Sequence, residues 1–305
     1  MTTPSPTPHT DAMSEVTLDN VTLTRILAAR AGTRMGPLVG FARALASDKP
    51  RDAALVQSTV GALVALLGDC AGNGRQRMEM GEVLGLLGDP RLRRPEDADY
   101  WARITFEDGH VLDVGRNMVT ATEFRHWLDN GGYEDNAAWS AGGHAWLDSG
   151  ADRWHTLADD PEVAHLVIPN QPAAGPTWWE AEAYARAHGA RLLNSAERRF
   201  LVRGEDKKPY PWGAPFGDGN ANTREEALGR PVAVGIFSAD RTEEGITDLA
   251  GNMGEWLTDG TEDGRRMLHP GSWARPSMAS WAKALEMADP GTRSADLSFR
   301  IARPV

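Results

Sequence analysis

Residues 245–256 read GITDLAGNMGEW. Two carboxylates, Asp248 and Glu255, flank a turn that carries Gly251, Asn252 and Gly254, and the stretch closes on Trp256. Glycine admits backbone conformations that a Cβ forbids, so carbonyls in this turn can point inward. Carboxylates mixed with inward carbonyls suit a hard cation such as calcium. The same residues also suit a tight turn in which Glu255 accepts backbone N–H bonds and no ion is held. Under either reading Trp256 is a large apolar anchor for a core.

Outward from this stretch the texture stays irregular. Residues 205–275 are loop-rich, with few regular elements, and so long an irregular segment needs ions, buried tryptophans or tight turns to hold it. All eleven tryptophans lie between Trp101 and Trp281, whereas residues 1–99 contain one aromatic, Phe41. That asymmetry marks a boundary. Leu55, Val56, Val60, Leu63, Val64 and Leu67 form an apolar stripe at helical spacing. GALVALLGDC (61–70) and GEVLGLLGDP (81–90) echo one another, each ending in Leu-Leu-Gly-Asp, where the glycine can supply a left-handed C-cap. The expected organisation is a disordered Pro/Thr tail at 1–14, a helical hairpin module at 15–90, a linker at 91–99 (PRLRRPEDAD spans 90–99) and a second domain at 100–305.

Within that second domain three helices are expected. One is Ala121–Asn130, capped by Thr120 or Thr122 with Phe124, Trp127 and Leu128 on one face. The others are Trp178–His188, stopped by Gly189, and Ser195–Arg203, capped by Ser195 with Arg198 and Arg199 facing solvent.

Composition bounds the function. Apolar residues make up 41% and charged residues 25% of the 305, which is ordinary for a globular protein. No apolar run approaches the length of a membrane span, and the N-terminus lacks the basic head and apolar stretch of a secretory signal, so the expected location is cytoplasmic. A net charge of −11 argues against nucleic acid or anionic lipid as a partner. The single cysteine, Cys70, excludes an intramolecular disulfide and a cysteine-based zinc cluster, and its apolar surroundings suit a buried thiol. The eight histidines contain no i, i+4 pair, and there is no GxSxG elbow, P-loop or GxGxxG.

Several segments, taken in order, resemble the formylglycine-generating-enzyme (sulfatase-modifying-factor) family, whose fold is a variant of the C-type lectin fold. They are VTATEF (119–124), GGYED (131–135) with Trp139 and Trp146, Trp178 to Tyr184, RLLNSAERRF (191–200), YPWG (210–213), NAN (220–222), GITDLAGNMGEW itself, PGSW (270–273) and LSFRIA (297–302). The resemblance covers about residues 100–305. It implies an α+β, loop-rich, C-type-lectin-like domain preceded by a small all-α module.

The resemblance also assigns roles. Family members bind calcium at the opening stretch, which would place the ligands on Asp248, the carbonyls of Gly251 and Met253, and Glu255, in a structural role. A second family calcium site, near Asn222, does not match here. In the oxidase members two cysteines after the glycine-serine-tryptophan turn bind copper, but the matching positions are Arg275 and Ser280, which cannot replace a thiolate for a soft metal. The family's iron-dependent sulfoxide synthases use an N-terminal histidine motif, and the only histidine here before position 110 is His9. Neither copper nor iron is expected.

Between the anchors at 271–273 and 297–300 lies the segment that forms the exposed ligand-binding face in this fold and the active site in catalytic relatives. Its candidate binding residues are Arg275, Met278, Ser280, Trp281, Lys283, Glu286 and Met287. Exposed Trp, Met and Arg are the types enriched where proteins bind proteins. The alternative is that Trp281 and Leu285 are buried. Some lectin-fold relatives are variable proteins diversified here by retroelements that mutate adenines. Ala274, Arg275, Pro276, Ala279, Ser294, Ala295 and Asp296 are reachable from AAC codons, whereas Trp281, Lys283, Glu286 and Met287 are not. The expected function is a non-catalytic protein that presents the 274–296 face to a protein or small ligand, with the helical module reaching an assembly partner. The alternatives are an enzyme with altered chemistry in the same cleft, with His269 beside the old catalytic turn, and a structural subunit.

Overall fold

Four helices, not a single hairpin, form from the apolar stripes of the N-terminal part: α1 (Asn20–Ala28), α2 (Ala31–Ser47), α3 (Ala53–Gly68) and α4 (Gly74–Leu87). The computed structural model describes residues 16–69, 71–155, 159, 161, 167–204 and 206–305. The tail at 1–14 and Cys70 lie outside the described residues. Side chains cap the starts of α1, α3 and α4, satisfying N–H groups that the helix leaves unpaired. Asp19 accepts from Thr22 N at 2.7 Å, Asp52 accepts from Ala54 N at 2.9 Å, and Asn73 and Gln76 form a reciprocal box on α4. Of the two echoed glycines only Gly88 takes a positive φ, +98°; Gly68 is the last residue of α3, and Asp69 is the C-cap.

Helix α4 is pressed against the rest of the chain by two glycines one turn apart. A Cβ on Gly81 would stand 2.8 Å from Ala233 Cβ, and one on Gly85 2.5 Å from Asn170 Oδ1. Asn170 Nδ2 uses this closeness to donate to Gly81 O at 3.1 Å and to Asp89 Oδ2 at 2.7 Å. The core of the helical module is therefore shared: Leu38, Phe41, Leu63, Val83 and Leu84 pack in one cluster with Val232, Ala233, Ile236 and Phe237.

The second part carries two four-stranded sheets. The first has order β1-β2-β8-β3, from β1 (Trp101–Thr105), β2 (Val111–Gly115), β3 (Arg191–Leu192) and β8 (Ile301–Pro304), all antiparallel. The second has order β6-β5-β4-β7, from β4 (Gly254–Gly260), β5 (Arg266–His269), β6 (Glu286–Ala288) and β7 (Leu297–Ser298); only the β4–β7 pairing is parallel. The fold class is α+β, with residues 206–253 nearly free of regular elements.

The expected helices form as α5 (Ala121–Asp129), α7 (Trp178–Ala187) and α8 (Ser195–Arg203), joined by α6 (Ala141–Asp148). Thr120 caps α5, and Gly189 follows α7 with φ +63°. Two expectations about α8 are corrected. Asn194 is its cap, accepting from Glu197 N at 2.8 Å, and Arg198 is buried, because its guanidinium is claimed by an internal carboxylate. Glu123 closes the α5 capping box, accepting from Thr120 N at 2.9 Å and Thr120 Oγ1 at 2.6 Å. Burial pushes its carboxyl up to about 7.

Tryptophans fill the space that short strands cannot. Trp127, Trp139, Trp154, Trp178 and Trp256 share a cluster with Phe124, Tyr184 and Phe299. Buried indoles need a partner for their N–H, and each of three finds a carbonyl: Trp154 on Ala174 at 2.8 Å, Trp178 on Leu257 at 2.7 Å and Trp256 on Pro176 at 3.0 Å.

Candidate binding face

The loop at 245–256 is held by its own polar groups. Asp240, which sequence reasoning did not single out, accepts the N–H groups of Leu249 (3.0 Å), Ala250 (2.8 Å) and Gly251 (3.1 Å). An aspartate inside a segment without periodicity carries no signal of this role. Burial and the adjacent Asp248 charge push Asp240 up to about 7. Asp248 has a positive φ of +56° and accepts from Gly235 N at 2.8 Å and Thr247 Oγ1 at 3.1 Å. Gly251 O accepts from Met253 N at 2.9 Å, and a Cβ on Gly251 would stand 2.7 Å from Asn222 O.

Glu255 is buried between two guanidinium groups, Arg198 Nε at 3.2 Å and Arg300 Nε at 3.3 Å. Arg300 also donates to Gly115 O, Arg116 O and Thr247 O, at 2.7–2.9 Å, and Arg198 donates to Leu249 O. Two of the four groups assigned to calcium by resemblance, the Asp248 and Glu255 carboxylates, are thus already engaged within the protein. The Glu255 oxygens already face two cations, and the Asp248 carboxylate is turned to Gly235 and Thr247. Among the described residues no three His, Cys, Asp or Glu side chains come together to hold a metal.

The downstream segment behaves differently. Met278 is 76% exposed, Trp281 47%, Leu285 42% and Met287 44%. Between residues 100 and 304 these are the only exposed large apolar side chains among the described residues, so the alternative of a buried Trp281 and Leu285 does not hold. The backbone beneath them is tied on both flanks. Ala282 N donates to Pro209 O at 3.0 Å on one side, while Arg224 N donates to Arg275 O at 2.9 Å on the other. Glu225 accepts Ser277 N at 2.9 and 3.0 Å, and β6 pairs with β5 through Met267 and Met287. The loop at 209–216 adds a neighbouring aromatic group that the sequence reading overlooked: Tyr210 stacks on Trp212 with centroids 5.2 Å apart, and Phe216 meets both edge-on.

The other sequence candidates divide between surface and interior. Arg275 pairs with Glu286 at 2.8 Å, and Lys283 lies 5.7 Å from the Trp281 ring. Ser280 is fully buried and its hydroxyl has no partner, so it belongs to the floor and not to the face. Beside it His269 is buried too. Its Nδ1 accepts from Gly271 N at 3.2 Å, which places the proton on Nε2, 3.2 Å from Trp281 O. Burial and the Arg198 charge hold this imidazole well below the usual histidine range, hence neutral.

Residues 91–305 match the family model for the sulfatase-modifying factor enzyme 1-like domain. The chain belongs to that family. Among curated relatives of the sulfatase-modifying factor type, hercynine oxygenase of Mycolicibacterium thermoresistibile is 30% identical over 218 residues, covering 56% of this chain and 48% of that protein. Formylglycine-generating enzyme of Streptomyces coelicolor is 26% identical over 204 residues, covering 61% of this chain and 58% of that one. The chain spans about half the length of the curated relatives it matches. Among solved structures, PvdO of Pseudomonas aeruginosa aligns at a TM-score of 0.48 with 21% identity, over 65% of this chain and 82% of that one. Treponema denticola variable protein 1 aligns at 0.45 with 14% identity, over 68% and 91%. The C-type-lectin-like fold class expected for the family stands. At the two positions where its oxidase members were expected to carry cysteines, this member has a salt-bridged Arg275 and a buried Ser280.

Proposed function

We propose that this member of the sulfatase-modifying factor family is a binding protein whose recognition surface is the 274–296 segment. One observation carries the reading: Met278, Trp281, Leu285 and Met287 are concentrated on a backbone that two neighbouring loops hold in place. Exposed apolar side chains of this size have a hydration cost that a partner relieves, and a preformed surface binds without an ordering penalty. Arg275, Lys283 and Glu286 surround them with polar groups, the arrangement of an interface core and rim. The test is affinity capture from the native host with the full chain, against Trp281→Ala and Met278→Ser forms that melt at the wild-type temperature. A partner retained by wild type and lost by both variants supports the reading; equal capture by all three removes it.

A second reading, altered chemistry in the same cleft, is favoured by the curated relatives named as an oxygenase and as formylglycine-generating enzyme. Against it, Arg275 and Ser280 offer no thiolate to copper, and His269 already spends both ring nitrogens on the backbone. Copper or iron bound at near one per chain in protein purified from its host would favour this reading over the first.

A further inference from the structure

A cavity of about 850 Å³ lies between the linker at 92–97 and the helices α5 and α7, and none of its lining residues comes from the 274–296 segment. Glu123 stands in its wall. Oε2 of this residue accepts from Thr120, but Oε1 is buried without a hydrogen-bond partner. The neighbouring Tyr100 hydroxyl, also buried and unpaired, can bring that oxygen a neutral donor but no counter-charge. Other buried glutamates are treated differently. Glu180 meets Arg293 at 2.7 Å, Glu197 meets Arg191 at 2.7 Å, and Glu255 meets Arg198 and Arg300. Glu123 has no such partner among the described residues. A buried carboxylate without a cation is costly to ionise, and burial, followed by the Glu96 charge, holds this one up at about 7.

The rest of the wall offers acceptors and rings. His188 Nδ1 lies 2.8 Å from Tyr184 O, so it carries the proton and leaves Nε2 as an acceptor. The Tyr184 hydroxyl has no hydrogen-bond partner among the described residues. The rings of Trp127 and Tyr184, edge to face with centroids 5.6 Å apart, border the same space. Cations in the lining are engaged elsewhere or peripheral. Arg93 is tied to Asp99 and to the carbonyls of Pro90 and Leu92. Arg94 and His126 are exposed, and Arg94 shares the mouth with the equally exposed Glu96 and Asp97. The inner wall therefore disfavours an anion and suits a ligand that carries positive charge and donates hydrogen bonds.

We infer that this cavity binds a small primary ammonium ligand with an aromatic or apolar body. The ammonium supplies the counter-charge that Glu123 lacks and donates to Tyr184 and His188, while the body lies against Trp127 and Tyr184. A primary ammonium is selected over a quaternary one because the wall presents acceptors for N–H groups. The probes are benzylamine and tryptamine, with benzyl alcohol and benzoate as the neutral and anionic counterparts, titrated calorimetrically into the full chain at about pH 8. The amines should bind about tenfold or more tightly than the alcohol or the acid. Glu123→Gln should weaken amine binding about tenfold and leave benzyl alcohol unchanged. Tyr184→Phe, which keeps the ring, should weaken the amines severalfold. At about pH 6.5, in buffers of different ionisation enthalpy, amine binding should release protons from wild type, since the ammonium favours the charged carboxyl, and Glu123→Gln should lose that release. Four outcomes overturn the inference: no amine binding below about 10 mM, equal binding of benzyl alcohol, preference for benzoate, or amine affinity unchanged in both variants. None of them bears on the 274–296 face.

Discussion

Arg198 on α8 places its Nε 3.2 Å from Oε2 of Glu255 on β4, and both side chains are almost wholly buried. Arg300 reaches the other oxygen, so one carboxylate ties α8, β4 and the segment between β7 and β8 together. Removing one member strands charge in a dry interior. Arg198→Met should destabilise by about 3–5 kcal/mol, read from urea unfolding midpoints at constant slope. Arg198→Met combined with Glu255→Gln should cost less than the two singles added together. Strict additivity would show that the pair is not coupled.

The same geometry bears on metal dependence. Guanidinium groups on Glu255 and backbone amides on Asp240 tie the 245–256 loop to the rest of the protein. EDTA should therefore leave the melting temperature unmoved, and millimolar calcium should not raise it. A drop on chelation that calcium reverses would return Asp248 and Glu255 to the role of ligands.

Glu123 gives a pH signature. Its folded value, about 7, lies above its ordinary 4.5. The folded state therefore holds this proton more tightly, and the associated stability is complete below about pH 4.5 and lost as pH rises through 7. Glu123→Gln keeps an acceptor for Thr120 and cannot ionise. At pH 8 the variant should equal or exceed wild type, and the stability difference should change by up to about 3 kcal/mol between pH 4.5 and 8. Parallel pH profiles for the two proteins would contradict the assignment.

Gly81 should tolerate no side chain. Ala233 Cβ is the atom in the way, at 2.8 Å, and it has no rotamer through which to move. Gly81→Val should cost about 2 kcal/mol or more as α4 is displaced. Gly61, whose Cβ would meet nothing within 4 Å, should accept alanine with a small gain.

Trp281→Ala provides the contrasting case. At 47% exposure its loss should change stability by less than about 1 kcal/mol, since it fills no core cavity. A large loss of melting temperature would mean that Trp281 packs as a structural residue.

What could be read in advance followed local rules. A threonine cap before α5 and the glycine after α7 announce their helices in the sequence, and the order of motifs announces the family. The face was only half legible: Trp281 and Met278 among small residues between two anchors suited exposure and burial alike, and the structure decides for exposure. The role of Asp240, the burial of Arg198 and the docking of α4 were not legible. Each depends on hydrogen-bond partners 9 to 89 residues away in sequence, and a solitary charged side chain does not reveal whether it meets water or another charge. The partners of Glu255 are hidden for the same reason: the loop pattern is intact, but the arginines that hold its glutamate lie 57 and 45 residues away in sequence.

Because Val232, Ile236 and Phe237 complete the apolar cluster of α2, α3 and α4, cutting the chain between residues 90 and 100 would not yield two soluble halves. Each fragment would carry the exposed half of one interior. Calorimetry of the intact chain should accordingly record a single heat-absorption peak, and co-expressed fragments should reassemble where neither survives alone.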